Sequence, residues 1–244
     1  MIGRLLNGSA LALSTLIVLG CSHMPGAPGP AAEVTRPDAI HDFATLYKQN
    51  CSACHGAQGR NGPSLDLADP VYQSLVDDAS LHMIITNGYP GTLMPAFARS
   101  AGGMLTDQQV DVLVNGMRSE WRKAGTLNGQ NAPPYEASTK GDVQRGQQAY
   151  TTFCASCHGT GSQRGPKAGS ITDTTYLGLV SDDALRTLII AGRPDLGAPD
   201  WRNDVPGHPM TDQDVTDVVA WLSSQRSKTP GQPYPAVSTK GESE

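Results

Sequence analysis

Apolar residues along this chain recur at three- and four-residue spacing, and they do so in pairs of matching segments. In DAIHDFATLYKQNC, Ile40, Phe43 and Tyr47 fall on one helical face. In GDVQRGQQAYTTFC, Val143, Gly146 and Tyr150 stand at the same offsets, with Gly146 a candidate for close helix contact. VDDASLHMIITNG and VSDDALRTLIIAG form the second pair, with Leu81, Ile84 and Ile85 answering Leu185, Leu188 and Ile189. Asp77 and Ser181 are the expected caps of these helices, and Gly88 and Gly192 the expected stops. Met83 falls inside the first of them and reads as core, while His82 and Arg186 share the polar side. The third pair is TDQQVDVLVNGMRSEW and TDQDVTDVVAWLSSQR. Val110, Leu113, Val114 and Met117 make one apolar face, and Val215, Val218, Val219 and Leu222 the other. Thr106 with Gln109 fits a capping box, and Thr211 with Asp214 fits it less well. Each last helix is expected to pack across the first helix of its unit.

The chain therefore reads as an internal duplication of a three-helix unit. One unit spans residues 38–121 and the other 142–226. Residues 122–141, rich in Gly, Pro and small polar side chains, read as the linker, and 227–244 as a tail. The ends of both segments are similar (PPYEASTKG and QPYPAVSTKG), so each is a candidate strap over its preceding unit through Tyr135 or Tyr234. Residues 1–20 read as an export signal: Arg4 supplies the basic end and Ala10 to Leu19 the apolar run. The signal closes in VLGC and resembles a bacterial lipoprotein signal, which implies cleavage before Cys21 and a lipid on its thiol. Residues 21–37 then form a Pro/Gly/Ala tether.

Aromatic residues are only 5% of the 244, while Gly and Pro number 27 and 18, so each unit needs cohesion beyond its own apolar side chains. The net charge of -5 and the lack of a basic stripe argue against nucleic acid as partner. Of the 5 cysteines, Cys21 is the expected lipid site after the signal, and the rest form two matching C-x-x-C-H patterns: CSACH, Cys51 to His55, and CASCH, Cys154 to His158. C-x-x-C-H is the pattern of covalent c-type haem attachment. Two thiols on one helical turn each bond one vinyl-derived carbon, and the adjacent imidazole reaches the iron. A redox dithiol or half a zinc site would leave the histidine unexplained in both copies. A covalent haem would also supply the large apolar plate that the composition lacks. Pro63 and Pro166 each lie eight residues beyond the motif histidine, and their carbonyls are the expected acceptors for its Nδ1–H.

With both motifs, the TLMPAF segment and the helix pattern, the chain resembles class I cytochrome c domains in tandem, over about 38–121 and 142–226. The implied fold is all-α, with each domain wrapped around a covalent haem. In the first domain Cys51 and Cys54 match the thioether cysteines, His55 the proximal ligand, and Met94, before Pro95, the distal ligand. Tyr89 and Phe97 are candidate haem walls, Arg60 and Arg164 candidate propionate partners, and Met83 and Met104 rival sulfurs. In the second domain Cys154, Cys157 and His158 match in the same way, but Ala198 stands opposite Met94, and alanine cannot bind iron. Three readings of the sixth position follow: Met210 through an altered loop path, His208, or an open iron. Met210 leads, although it aligns with Leu105 of the first copy.

The resemblance implies two covalently attached haem c groups in a membrane-tethered periplasmic carrier of single electrons between respiratory-chain components. The expected partner is a membrane-bound donor or acceptor complex, with the chain either visiting it or forming a stable subunit. The alternative is a haem enzyme, or a gas- or peroxide-binding protein, that uses an open second iron with the first haem as relay. A subunit that only organises a larger complex is a third class.

Overall fold

The computed structural model of the protein describes residues 35–161 and 163–228. The expected signal, Cys21 and Tyr234 lie outside the described residues. Pro37–Ala39 form a single 3₁₀ turn. From Ile40 onward the described chain is helical, in two clusters joined by an irregular segment.

The first cluster contains α1 (Phe43–Asn50), α2 (Ser52–His55), α3 (Pro70–Leu75), α4 (Asp78–Asn87) and α5 (Asp107–Trp121). The second repeats that order with α6 (Val143–Phe153), α7 (Ala155–His158), α8 (Thr174–Leu179), α9 (Asp182–Ala191) and α10 (Asp212–Ser224). The short α3 and α8 add to the three long helices that periodicity marks in each copy. Asp69 and Asp173 cap them, accepting two backbone N–H bonds each. Asp77 and Ser181 cap α4 and α9 as expected. Both last helices carry a full capping box: Asp214 accepts from the Thr211 N–H at 2.9 Å, as Gln109 does from Thr106 at 3.0 Å. The shorter Asp side chain therefore closes the box that its length argued against.

α1 crosses α5 and α6 crosses α10, with the apolar faces buried between them. Val110, Leu113, Met117, Val215, Val218 and Leu222 are all nearly inaccessible. The two crossings are fitted by opposite means. In the first, Gly116 of α5 makes room for the Phe43 ring; a Cβ there would stand 2.1 Å from it. In the second, Gly146 of α6 meets α10, where a Cβ would stand 2.0 Å from the Asp217 carbonyl oxygen and 2.7 Å from Trp221 Cβ. Phe43 aligns with Gly146, and Gly116 with Trp221. The bulky partner has moved to the other helix, and the contact at Gly146 is the close one its position predicts.

Arg186 is not on a solvated face. It is 3% exposed, and its Nε donates to the Pro134 carbonyl at 2.9 Å and its Nη1 to Thr216 at 2.9 Å, while Nη2 bonds Asp212. The linker covers it. One residue on, the Tyr135 hydroxyl meets that of Tyr89 at 3.0 Å, so the linker is pinned to both clusters. The clusters also touch directly, with α9 packing on α3.

Candidate haem-binding sites

In each copy the first long helix delivers its motif through one continuous turn. The Cys51 N–H donates to the Tyr47 carbonyl at 2.8 Å, and the His55 N–H to the Cys51 carbonyl at 2.9 Å. The Cys154 and His158 amides repeat both bonds at 2.8 and 2.9 Å. Tyr47 and Tyr150 lock the turn from below, donating to the carbonyls of Gly56 at 3.0 Å and Gly159 at 2.7 Å. Both thiols and the imidazole are thereby set on one helical turn, twice. Cys51 and His55 are each 8% exposed, whereas Cys54 lies open. Burial pushes the Cys51 and Cys154 thiols up to about 12.

The ring orientation is fixed by the following loop. His55 Nδ1 pairs with the Leu65 carbonyl at 2.8 Å, and His158 Nδ1 with the Gly169 carbonyl at 2.7 Å. The expected acceptors were the carbonyls of Pro63 and Pro166, and this expectation is corrected. The glycine before each proline explains the shift. A Cβ on Gly62 would stand 2.4 Å from the Cys54 carbonyl oxygen, and one on Gly165 2.2 Å from the His158 carbonyl carbon. The loop lies hard against the motif at these glycines, the prolines face solvent, and later carbonyls return to the ring. With Nδ1 engaged, Nε2 is the ring nitrogen left available to a metal. Burial holds the His55 pKa below its usual value, with a further contribution from the Arg193 charge, which favours the neutral ring that a metal needs.

This donor set fits a covalent haem: two thiols and one committed imidazole per turn, in duplicate. Among the described residues no three His, Cys, Asp or Glu side chains converge as ligands of a bare ion, so the CxxC pairs do not assemble a zinc-type site. A hollow of about 610 Å³, lined in part by Phe43, Tyr47, Arg60 and Trp121, includes no residue of either motif.

The distal loops share one backbone path. Gly88 and Gly192 end α4 and α9 at φ 59° and 71°, a region glycine enters without strain. The Tyr89 N–H then donates to the Met94 carbonyl at 2.9 Å, and the Arg193 N–H to the Ala198 carbonyl at 3.1 Å. Ala198 thus holds the backbone place of Met94, and Arg193 that of Tyr89. Met94 is half-buried, and its N–H bonds Thr92 Oγ1 at 3.2 Å. Met83 is 54% exposed and not core, because the chosen helical face leaves it outside the α4–α5 contact; Met104 is 78% exposed.

Met210 is 2% exposed, and its N–H donates to the Trp201 carbonyl at 2.9 Å. Leu105 does the same to Phe97 at 2.8 Å. Met210 therefore occupies the core position of Leu105, while His208 is exposed. Sequence reasoning missed Asp204. Burial, reinforced by Asp200, pushes this carboxyl up to about 7, and its charge acts on the Cys154 thiol. Its signal is its place in NDVPGHPM, where the second copy runs one residue longer than the first between Trp201 and Thr211. Arg60 spends its guanidinium on the Ala68 carbonyl, and Arg164 is exposed.

Residues 38–115 match the family model described as cytochrome C oxidase, cbb3-type, subunit III, and residues 143–226 match the cytochrome c family. The chain carries cytochrome c domains. Domains of this family hold haem c, in agreement with the thiol–thiol–imidazole turns. The chain is 33% identical over 136 residues to "Cbb3-type cytochrome c oxidase subunit CcoP" of Azospirillum sp. (strain B510), covering 51% of this chain and 41% of that one. It is 42% identical over 69 residues to "Dihydro-heme d1 dehydrogenase" of Pseudomonas aeruginosa, covering 28% of this chain and 13% of that one. The chain thus spans less than half the length of these curated relatives. Among solved structures it is similar to a chain of the Kuenenia stuttgartiensis reducing HAO-like protein complex, with TM-score 0.46 and 18% identity, over 76% of this chain and 96% of that one. No described helix is long and apolar enough to cross a membrane.

Proposed function

We propose that this cytochrome carries two covalent haem c groups and passes single electrons between respiratory-chain components at a bacterial membrane. The observation that carries the reading is the duplicated turn, in which each motif imidazole has Nδ1 bonded and Nε2 free. Haem c supplies one-electron chemistry with little rearrangement when its iron sits between two strong ligands. In this reading Cys51, Cys54, Cys154 and Cys157 hold the two groups, and His55 and His158 ligate. Met94 is the sixth ligand of the first iron, and its neutral thioether raises the potential relative to a second imidazole. Met210 is the proposed sixth ligand of the second, and binding requires it to leave its Leu105-type position. The domains are residues 38–121 and 142–226, and a lipid on Cys21 holds them on the periplasmic side of the membrane. Similarity to a cbb3-type oxidase subunit supports a partner in a membrane-bound respiratory complex, and the net charge of -5 suits docking to a basic face. The test mixes the reduced holoprotein with membranes of the producing cell. Haem oxidation faster than the membrane-free control is the expected result; equal rates would remove the carrier role.

One observation favours a second reading, in which the second iron keeps an open or exchangeable position: Ala198 replaces the methionine and Met210 lies in the core. Carbon monoxide added to the reduced protein separates the two. Stoichiometric binding at the second haem supports gas or peroxide chemistry there, and no binding supports two six-coordinate carriers.

A further inference from the structure

Arg193 departs from the duplicated pattern in a way that reaches across to the other copy. Its backbone N–H closes the loop of the second cluster, where Tyr89 stands in the first. Its side chain leaves that cluster. Nη1 donates to the Ser64 carbonyl at 2.7 Å and Nη2 to the Gly62 carbonyl at 2.9 Å. Asp195 orients the guanidinium from behind, accepting from Nε at 2.8 Å and from Nη2 at 2.7 Å. Asp66 Oδ1 lies 3.8 Å from Nη2, on a residue only 1% exposed. The arginine side chain itself is 11% exposed.

The two gripped carbonyls flank Pro63. They belong to the loop that is packed on the first motif at Gly62 and that returns the Leu65 carbonyl to His55 Nδ1. The distal loop of the first cluster also meets the second, through the Leu93 N–H and the Leu179 carbonyl at 3.3 Å. Both ligand-bearing loops of the first site therefore touch the second cluster, and the proximal one is held by a planar, permanently charged fork.

We infer that Arg193 is a positioning residue that couples the two sites: from the distal loop of the second domain it fixes the loop aiming the His55 imidazole, and it places a fixed positive charge beside the first haem. This rests on the reading that the CxxCH turns carry haem. A positive charge near the iron favours the ferrous form. Without it, the carboxyl groups of Asp66 and Asp195 face the first site uncompensated, and the ferric form gains.

The test is an equilibrium redox titration of the full holoprotein followed by visible spectra, with a Cys154→Ala/Cys157→Ala variant assigning the first-haem wave. Two one-electron waves in the parent protein are required first; their absence would count against the haem reading and not against Arg193. Arg193→Gln is expected to lower the reduction constant of the first haem about tenfold, equivalent to about 59 mV for one electron, and to move the second less than twofold. Arg193→Lys keeps the charge without the two-carbonyl grip and is expected to restore about half of that shift on a logarithmic scale, leaving a residual two- to fivefold. A first-haem constant within twofold of the parent in Arg193→Gln, or equal shifts at both haems, would overturn the inference. If the glutamine variant does not accumulate with haem, Arg193→Lys is read alone. A first-haem shift of two- to fivefold with an unmoved second haem then supports the inference, and an unmoved first haem overturns it.

Discussion

Gly146→Ala sets helix propensity against packing, and the two predict opposite signs. Alanine in a helix interior is favoured over glycine by about 1 kcal/mol. Were α6 a free helix, the substitution would stabilise the protein. In the structure the new Cβ would stand 2.0 Å from the Asp217 carbonyl oxygen, well inside ordinary contact, and the blocking atom belongs to the backbone of α10. The crossing must open by more than about 1 Å. Overpacking of this kind costs about 1–3 kcal/mol, and a rigid backbone obstacle puts it at the upper end. The net expectation is a loss of about 2 kcal/mol, or about 10 °C in the melting temperature of a domain this size. Gly116→Ala meets a different obstacle, the Phe43 ring at 2.1 Å, which is a side chain that can be removed. Thermal melts of the holoprotein followed by far-UV circular dichroism, run as two double-mutant cycles, separate these cases. Phe43→Ala should recover most of the penalty of Gly116→Ala, and Trp221→Ala should recover little of that of Gly146→Ala. A Gly146→Ala protein at least as stable as the parent would refute the reasoning.

Two further outcomes follow from buried charge. The Asp204 carboxyl has a folded-state pKa raised to about 7, so the folded protein holds this proton more tightly than the unfolded chain, whose value is about 3.9. Its ionisation therefore costs no stability below about pH 4 and progressively more as pH rises through 7; urea titrations of Asp204→Asn should lose that decline and gain about 1–2 kcal/mol at pH 8, after allowance for solvent screening. Arg186→Met removes a side chain 4% exposed that binds Asp212, Thr216 and the Pro134 carbonyl, and should cost about 3 kcal/mol in the same assay while making residues 122–141 more open to limited proteolysis.

The helices, their caps and the duplicated haem turns were legible because each rests on local chemistry: spacing of apolar residues, a polar residue before a helix, two thiols and a histidine in five positions. The short α3 and α8 were not, since six residues are too few to show a period and only the aspartate caps announce them. The acceptor of the histidine Nδ1–H was misplaced because proline is the conspicuous residue of the loop, while the glycine before it sets the path. Arg186 and Met83 went the wrong way for one reason. A helical wheel ranks faces by polarity, but the linker covers the polar face at Arg186, and the apolar Met83 stays about half exposed among the described residues. The Phe43–Gly116 and Gly146–Trp221 exchange involves residues far apart in sequence whose sizes matter only where the helices cross.

Intact mass spectrometry of the mature protein, purified under denaturing conditions, tests the central claim most directly. The account predicts a single species whose mass exceeds that of the polypeptide and any lipid by two haem groups, falling by one haem in Cys51→Ala/Cys54→Ala and by the other in Cys154→Ala/Cys157→Ala. One haem in the parent protein, or none surviving denaturation, would contradict it.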